Sequence, residues 1–397
     1  MYIYEVAKSL GFSFGQEKIK LNNKLSPTVS IHNMKLSRQL KMNLSKVAII
    51  TISYVLINVL IFFFNYTAIN SPYSLGPAPQ FNVSAYFLTT ILVGLIAGIL
   101  GGVLLVWVNS ELFRRRSFKF AMRTTLIAYA LIFVIVSLIA SLTMLIGEYG
   151  LVGITLDTIK TTLRFVLNPA LIANFILWGT ITFFTLFFLQ VNDKFGPGIL
   201  LKFLVGNYHR PKKEERIFMF MDMRSSTTIA EKIGNEKYFN LLNDVFADIT
   251  NTILNHEGEI YQYVGDEIVI SWPIKKGIRN ANCLRCFTEI QKKLTDLGQI
   301  YEKKYEVIPE FKAGLHYGLV MAGEIGIIKK DIIYSGDVLN TTARIQEQCN
   351  HYRVDILLSK EAFDLISDTN GFKIKPLGSI ELRGKKGKID LNTISTI

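Results

Sequence analysis

Four stretches of this chain carry no charged residue at all: Val47 to Ala68, Tyr86 to Val108, Leu126 to Ile146 and Leu171 to Val191. Each supplies the roughly 20 apolar residues that a helix needs to cross a bilayer. Core helices of soluble domains seldom run so long without a charge. Half of all residues are hydrophobic and only 19% are charged, which excludes an ordinary soluble protein and makes the lipid bilayer the first expected partner. In the second stretch Gly94, Gly98 and Gly102 recur every four residues, predicting one smooth helix face for close packing.

Loop charges then orient the spans. Residues 1–46 hold eight Lys or Arg against Glu5 and Glu17. They form a basic arm that either lies near anionic lipid or is a tail of no particular role. They have no apolar run of the kind a secretory signal needs. The segment Asn109 to Arg123 carries Arg114, Arg115, Arg116, Lys119 and Arg123 against Glu111, whereas Ile69 to Ala85 is uncharged. Gly147 to Ala170 is balanced, with Glu148 and Asp157 against Lys160 and Arg164. The bias of basic loops toward the cytoplasm predicts a multi-pass protein of the inner cell membrane with both ends cytoplasmic. The formal net charge of +12 is thereby read as orientation, with no nucleic acid as partner. The outer loops are too short for a folded sensor.

The expected organisation is a basic arm at 1–46, a four-helix membrane domain at 47–191, a coupling linker at 192–215 and an α+β domain at 216–397. The linker contains Gly196-Pro197-Gly198 and the basic run Arg210 to Lys213. Past it, short strands alternate with helices, the latter expected at 226–232, 238–255, 277–305 and 338–349. Strands are expected at 217–221, 260–264, 268–272, 311–317, 319–324, 332–335, 356–359, 372–376 and 390–394. Cys283, Cys286 and Cys349 are an odd, sparse set with no disulfide framework. Cys283-Leu-Arg-Cys286 has the spacing of a metal or redox pair, yet reads better as two buried residues of one helix. His256 and His316 read as solvated or packing residues rather than general bases.

Chemistry concentrates where the apolar strand Ile217 to Met221 ends on Asp222, and where a second strand pair turns through Gly265-Asp266. Two such turns can bring two carboxylates together at a sheet edge, an arrangement that binds Mg²⁺ together with substrate phosphates. Taken singly, Asp222 reads equally well as a helix cap and Asp266 as turn chemistry. Farther on, Asn340 and Arg344 stand four apart, on one face of a helix. A guanidinium beside an amide suits phosphate next to a sugar; an exposed polar face is the alternative.

In this order and at these intervals, Asp222 with Ser225-Ser226-Thr227, Gly265-Asp266 and Asn340-x-x-x-Arg344 resemble the class III nucleotidyl cyclases, the adenylate and guanylate cyclase family, in its membrane-anchored bacterial form. The resemblance spans Arg216 to Ile397 and implies a ferredoxin-like βαββαβ core. It implies two divalent ions per active site, Mg²⁺ or Mn²⁺, on Asp222, Asp266 and the Met223 carbonyl. It also implies main-chain amides of Arg224, Ser225, Ser226 and Thr227 around the triphosphate of a nucleoside triphosphate. Asn340 would orient the ribose and Arg344 would steady the α-phosphate. Leu382-Arg383-Gly-Lys385-Lys386 resembles the family's basic turn that grips the terminal phosphates, through Arg383, Lys385 or Lys386. The base-selecting positions depart from the family pattern, with Gln262 where the adenylate type has Lys and Ile333 where it often has Asp or Thr. Glutamine can pair with an adenine edge, so ATP is favoured over GTP or a pyrimidine nucleotide. The family's division of the site implies a homodimer with active sites shared between subunits. Rival expectations are a diguanylate cyclase, whose Gly-Gly-Asp-Glu-Phe signature Val264-Gly-Asp-Glu-Ile268 partly matches, and a membrane receptor that binds nucleotide without catalysis.

Overall fold

A computed structural model describes residues 38–70, 82–108, 118–150, 155–160, 169–195, 206, 208–328, 330–366, 370–382 and 387–396. The four charge-free stretches are helices: α1 (Arg38–Ile69), α2 (Val83–Val103, running into a π-helical turn at Leu104–Val108), α3 (Phe118–Tyr149) and α4 (Pro169–Phe195). All four are long and apolar enough to cross a membrane. Outward they present bulky apolar side chains such as Leu60, Phe64, Leu88 and Ile176, a surface that lipid would cover. The glycine stripe of α2 does pack closely on α1. A Cβ added at Gly98 would meet the Thr51 Cα at 2.6 Å, and one at Gly94 the Val55 Cα at 2.9 Å. Tyr54 of α1 meets Thr182 of α4 at 3.3 Å, and Tyr129 of α3 donates to the Phe175 carbonyl at 2.6 Å.

The C-terminal module opens on β1 (Lys212–Met223), which starts four residues inside the stretch read as linker. Next come α5 (Ser226–Ile233), α6 (Asn235–Asn255), and the hairpin of β2 (Glu259–Val264) and β3 (Glu267–Pro273). They are followed by α7 (Asn282–Asp296), α8 (Gly298–Tyr305), β4 (Phe311–Ile325), β5 (Asp331–Ser335) and α9 (Asp337–Glu347). The chain ends on β6 (Ile356–Ser359), β7 (Phe372–Glu381) and β8 (Lys388–Thr396). The sheet runs β2-β3-β1-β4-β6-β8-β7, with β5 paired to β4. Its first four strands, in order β2-β3-β1-β4 and antiparallel throughout, form the expected ferredoxin-like core.

Both faces of β1 are buried, which explains its unbroken apolar run. Ile217, Met219, Met221 and Met223 face the helix layer, where α6 contributes Leu241, Val245, Ile249 and Ile253 at four-residue spacing. From α7 come Cys283, Leu284, Cys286, Phe287, Ile290 and Leu294. Phe218 and Phe220 face the other way, against Val269, Val320 and Val338 of α9. Asp222 has the parity of these phenylalanines, so it belongs to the face that α9 covers. All three cysteines are free and buried, and burial pushes the Cys283 thiol up to about 12, so the Cys-x-x-Cys pair is core.

Two sequence expectations on the elements need correction. The helix expected over 277–305 is interrupted. Asn280 and Ala281 take left-handed φ values of 51° and 50°, and a second break falls at Leu297 between α7 and α8. Conversely, the strands expected at 311–317 and 319–324 are one, β4, paired with β1 without interruption from Lys212↔Ala322 to Met223↔Phe311.

Candidate active site

The acid pair is built by two local structures at the same end of adjacent strands. β1 and β3 are in register through Asp222↔Glu267, so the end of β1 lies beside the hairpin tip. Val264 pairs with Glu267, leaving Gly265 and Asp266 as a two-residue turn. Gly265 has φ of +63°, a left-handed conformation that tight hairpins demand and that glycine adopts without strain. This turn carries the Asp266 carboxyl to within hydrogen-bonding reach of Asp222. Burial first, then the contact with Asp266, raise the Asp222 pKa, while Lys312 works in the opposite direction.

Two further groups hold Asp222 Oδ2. Lys312 Nζ lies 3.2 Å away and Gln346 Nε2 donates to it at 3.3 Å. Glu267 is pushed up to about 7, chiefly by burial and then by the negative charges of Asp222, Asp266 and Glu347. Tyr238 of α6 faces the same acids and meets the Ser226 hydroxyl; burial raises its pKa. Neither histidine joins this group. His316 is buried against Ser359 Oγ at 2.7 Å, and His256 is buried 2.9 Å from Glu289 Oε2, so both are packed rather than solvated.

The turn after β1 is arranged unevenly. Ser225 sits at φ 55°, and α5 begins at Ser226 without a side-chain cap, so the amides of its first turn have no intrahelical acceptor. Arg224 is engaged elsewhere. Its amide donates to the Glu310 carbonyl at 2.8 Å, and its guanidinium to the Val354 carbonyl and Asp355 Oδ1, each at 2.7 Å. Met223 has a buried side chain and offers only its carbonyl. Asn340 is exposed and Arg344 half-buried on the outer side of α9, and neither side chain makes a hydrogen bond or ion pair to the described residues. Gln262 is exposed on β2 beside a register irregularity, and Ile333 is half-buried on β5 opposite Gly323. Arg383 and Lys385 lie outside the described residues.

Lys312, Gln346, Glu267 and Tyr238 were not singled out in the sequence. Lys312 had one visible signal, as a charge inside the otherwise apolar run Phe311 to Leu315. The others depend on which elements become neighbours.

The donors at this site suit a hard divalent cation. Asp222 and Asp266 bring two carboxyl groups within reach of each other in a partly buried setting that disfavours two uncompensated charges. Among the described residues no cluster of three or more His, Cys, Asp or Glu side chains forms a closed metal cage. Further ligands would therefore be the Met223 carbonyl, water and substrate oxygens.

An antiparallel β2-β3-β1-β4 core carries an acid pair where β1 meets the hairpin turn. Residues 209–395 match the adenylate and guanylate cyclase catalytic domain family. The chain is 33% identical over 204 residues to adenylate cyclase 2 of Rhizobium meliloti, across 51% of this chain and 56% of that protein. It is 28% identical over 171 residues to human retinal guanylyl cyclase 2, across 42% of this chain and 15% of that protein. Thus it spans little more than half the length of the first relative. Among solved structures, a bacterial light-regulated adenylyl cyclase superposes with a TM-score of 0.50 at 20% identity, over 57% of this chain and 66% of that one, a likeness of fold.

Proposed function

We propose that the protein is a membrane-anchored nucleotidyl cyclase that converts ATP to the 3′,5′-cyclic monophosphate and pyrophosphate at the cytoplasmic face. The observation that carries this reading is the convergence of Asp222 and Asp266 at the end of β1. Divalent ions bound there would lower the pKa of the ribose 3′-hydroxyl and offset charge on the departing pyrophosphate. Asp222 and Asp266 hold that charge in place, and the open amides at the start of α5 receive phosphate oxygens. Asn340 positions the ribose, Arg344 offsets charge on the α-phosphate, and Gln262 meets the base. No protein nucleophile is required, since catalysis here is positioning and charge stabilisation.

The faces of α9 support a site shared between two copies. Gln346 reaches Asp222 of its own chain. At 100° per residue, Arg344 stands roughly 200° around the helix from Gln346. Arg344 and Asn340 therefore point away from their own acid pair and serve the pair of a second copy. The four apolar helices and the basic segments at 1–46 and 109–123 support a bilayer anchor with the module in the cytoplasm.

The test is incubation of the purified chain with each nucleoside triphosphate and Mn²⁺. Cyclic AMP is the expected product. Cyclic GMP would move the base assignment, cyclic di-GMP would indicate a diguanylate cyclase, and no product would leave a nucleotide-binding receptor.

A further inference from the structure

Arg216 is a buried cation on β1, on the same face as Asp222 and about 20 Å from it along the strand. The proposed chemistry has no use for it. It is 1% exposed. Its guanidinium donates to Glu259 of β2, and to Ser271 Oγ of β3 and Glu214 Oε2 at 3.0 Å each. It also lies 4.7 Å from the centre of the Tyr334 ring of β5. In the sheet β2 pairs with β3 and β5 with β4, so contacts outside the ladder are what join β2 to β5. The Tyr334 amide donates to the Tyr261 hydroxyl at 3.3 Å, and the two rings stand 5.0 Å apart, both against Phe218. Stability alone does not account for this arrangement. Burying a cation is costly even when it is paired, and Nε finds no acceptor among the described residues. What the cation supplies is a fixed separation between two strands.

We propose that Arg216 is a positioning residue for base selection: by clamping β2 to β5 it sets the gap between Gln262 and Ile333, the chain neighbours of Tyr261 and Tyr334. This rests on the reading that Gln262 and Ile333 flank the base. The β2 register slips between Ile260 and Gln262, so strand pairing alone does not fix Gln262, and the contact of Tyr261 with Tyr334 does. β5 is five residues long and pairs with β4 alone, so its placement depends equally on Tyr334. A planar guanidinium can bond Glu259 and Ser271 through its edge while its face stacks on Tyr334, which an ammonium cannot do. A gap held at one width admits one base with its polar edge satisfied and costs the other an unpaired group.

The experiment measures binding of 3′-deoxy-ATP and 3′-deoxy-GTP, which lack the attacking hydroxyl, to the full-length chain in detergent with Mn²⁺ by isothermal titration calorimetry. The readout is the affinity for the preferred nucleotide divided by that for the other. Arg216→Lys keeps the buried charge and loses the fork. It is expected to lower the ratio at least about fivefold, on the scale of a small misplacement of a recognition group, chiefly by weakening the preferred nucleotide. Tyr261→Phe removes only the hydroxyl that joins β2 to β5. It should shift the ratio in the same direction, and it carries the test should Arg216→Lys fail to melt cooperatively. A purely structural role would lower the melting temperature and leave the ratio where it was. An unchanged ratio in a folded variant therefore overturns the proposal for Arg216 while leaving the nucleotide site standing. Equal affinity of the wild type for both nucleotides would instead remove the base assignment, and binding of neither would remove the proposed function; each takes this inference with it.

Discussion

Asp222 is where the demands on this module meet. In the proposed function it must stay ionised to hold a cation, yet burial and a second carboxyl work against ionisation. Asp222→Asn and Asp266→Asn keep the shape and lose the charge. Each is expected to cut cyclase turnover by at least about a hundredfold, the scale of removing a group that organises transition-state charge, with the melting temperature of the metal-free protein unchanged or raised. Glu267 offers a test in the absence of ligand. Its carboxyl titrates at about 7 in the fold against a usual 4.5, so between those values the folded chain holds a proton that the unfolded chain has released. Stability contributed by that proton is present at low pH and is lost as pH rises through about 7. Glu267→Gln removes the loss. Its advantage in melting temperature over the wild type should be small near pH 5 and several degrees near pH 8, measured without divalent ions. An advantage that does not grow with pH contradicts the burial argument.

At the scale of elements, α9 joins the catalytic groups because it lies almost on the backbone of β4. A Cβ added at Gly314 would meet the Gln346 amide nitrogen at 2.4 Å and its Cα at 2.7 Å, and backbone cannot yield as a side chain tip can. Gly314→Ala should therefore cost about 1–3 kcal/mol in urea unfolding, as overpacking of a tight contact does, and shift Gln346 off Asp222. In the membrane part Gly98→Leu is expected to part α1 from α2, lowering the detergent melting temperature, since the added side chain would enter the Thr51 backbone. That stripe was readable from its four-residue spacing. So were β1 and the hairpin, because buried strands spell themselves as apolar runs and Gly-Asp marks a turn. The break at Asn280 and Ala281 was not readable, since nothing in an alanine announces left-handed backbone. Nor was the grip of Lys312 on Asp222, which comes from the pairing of strands 90 positions apart in sequence, nor the loss of Arg224 to Val354 and Asp355, which needs the loop before β6 in place.

For the whole molecule the decisive matter is which copy supplies which half of the chemistry. α9 turns Gln346 inward to its own Asp222 and leaves Asn340 and Arg344 outward, so a lone chain presents an acid pair and an arginine that do not serve each other. In the proposed two-fold symmetric dimer each arginine would complete the partner's acid pair, and the same operation would build both sites. Asp222→Asn and Arg344→Ala are then each inactive alone but complementary. A dimer mixing one of each keeps one complete site, formed by the Asp222 of the Arg344→Ala chain and the Arg344 of the Asp222→Asn chain; its other site is doubly disabled. Equal co-expression makes about half the dimers mixed, each with one working site of two, so activity should return to about a quarter of wild type. Recovery near that level in detergent, lost on dilution as dimers dissociate, fits the shared site. No recovery, from two variants that each still bind nucleotide and still co-purify, would mean that Arg344 serves the acids of its own chain through a rotation of α9.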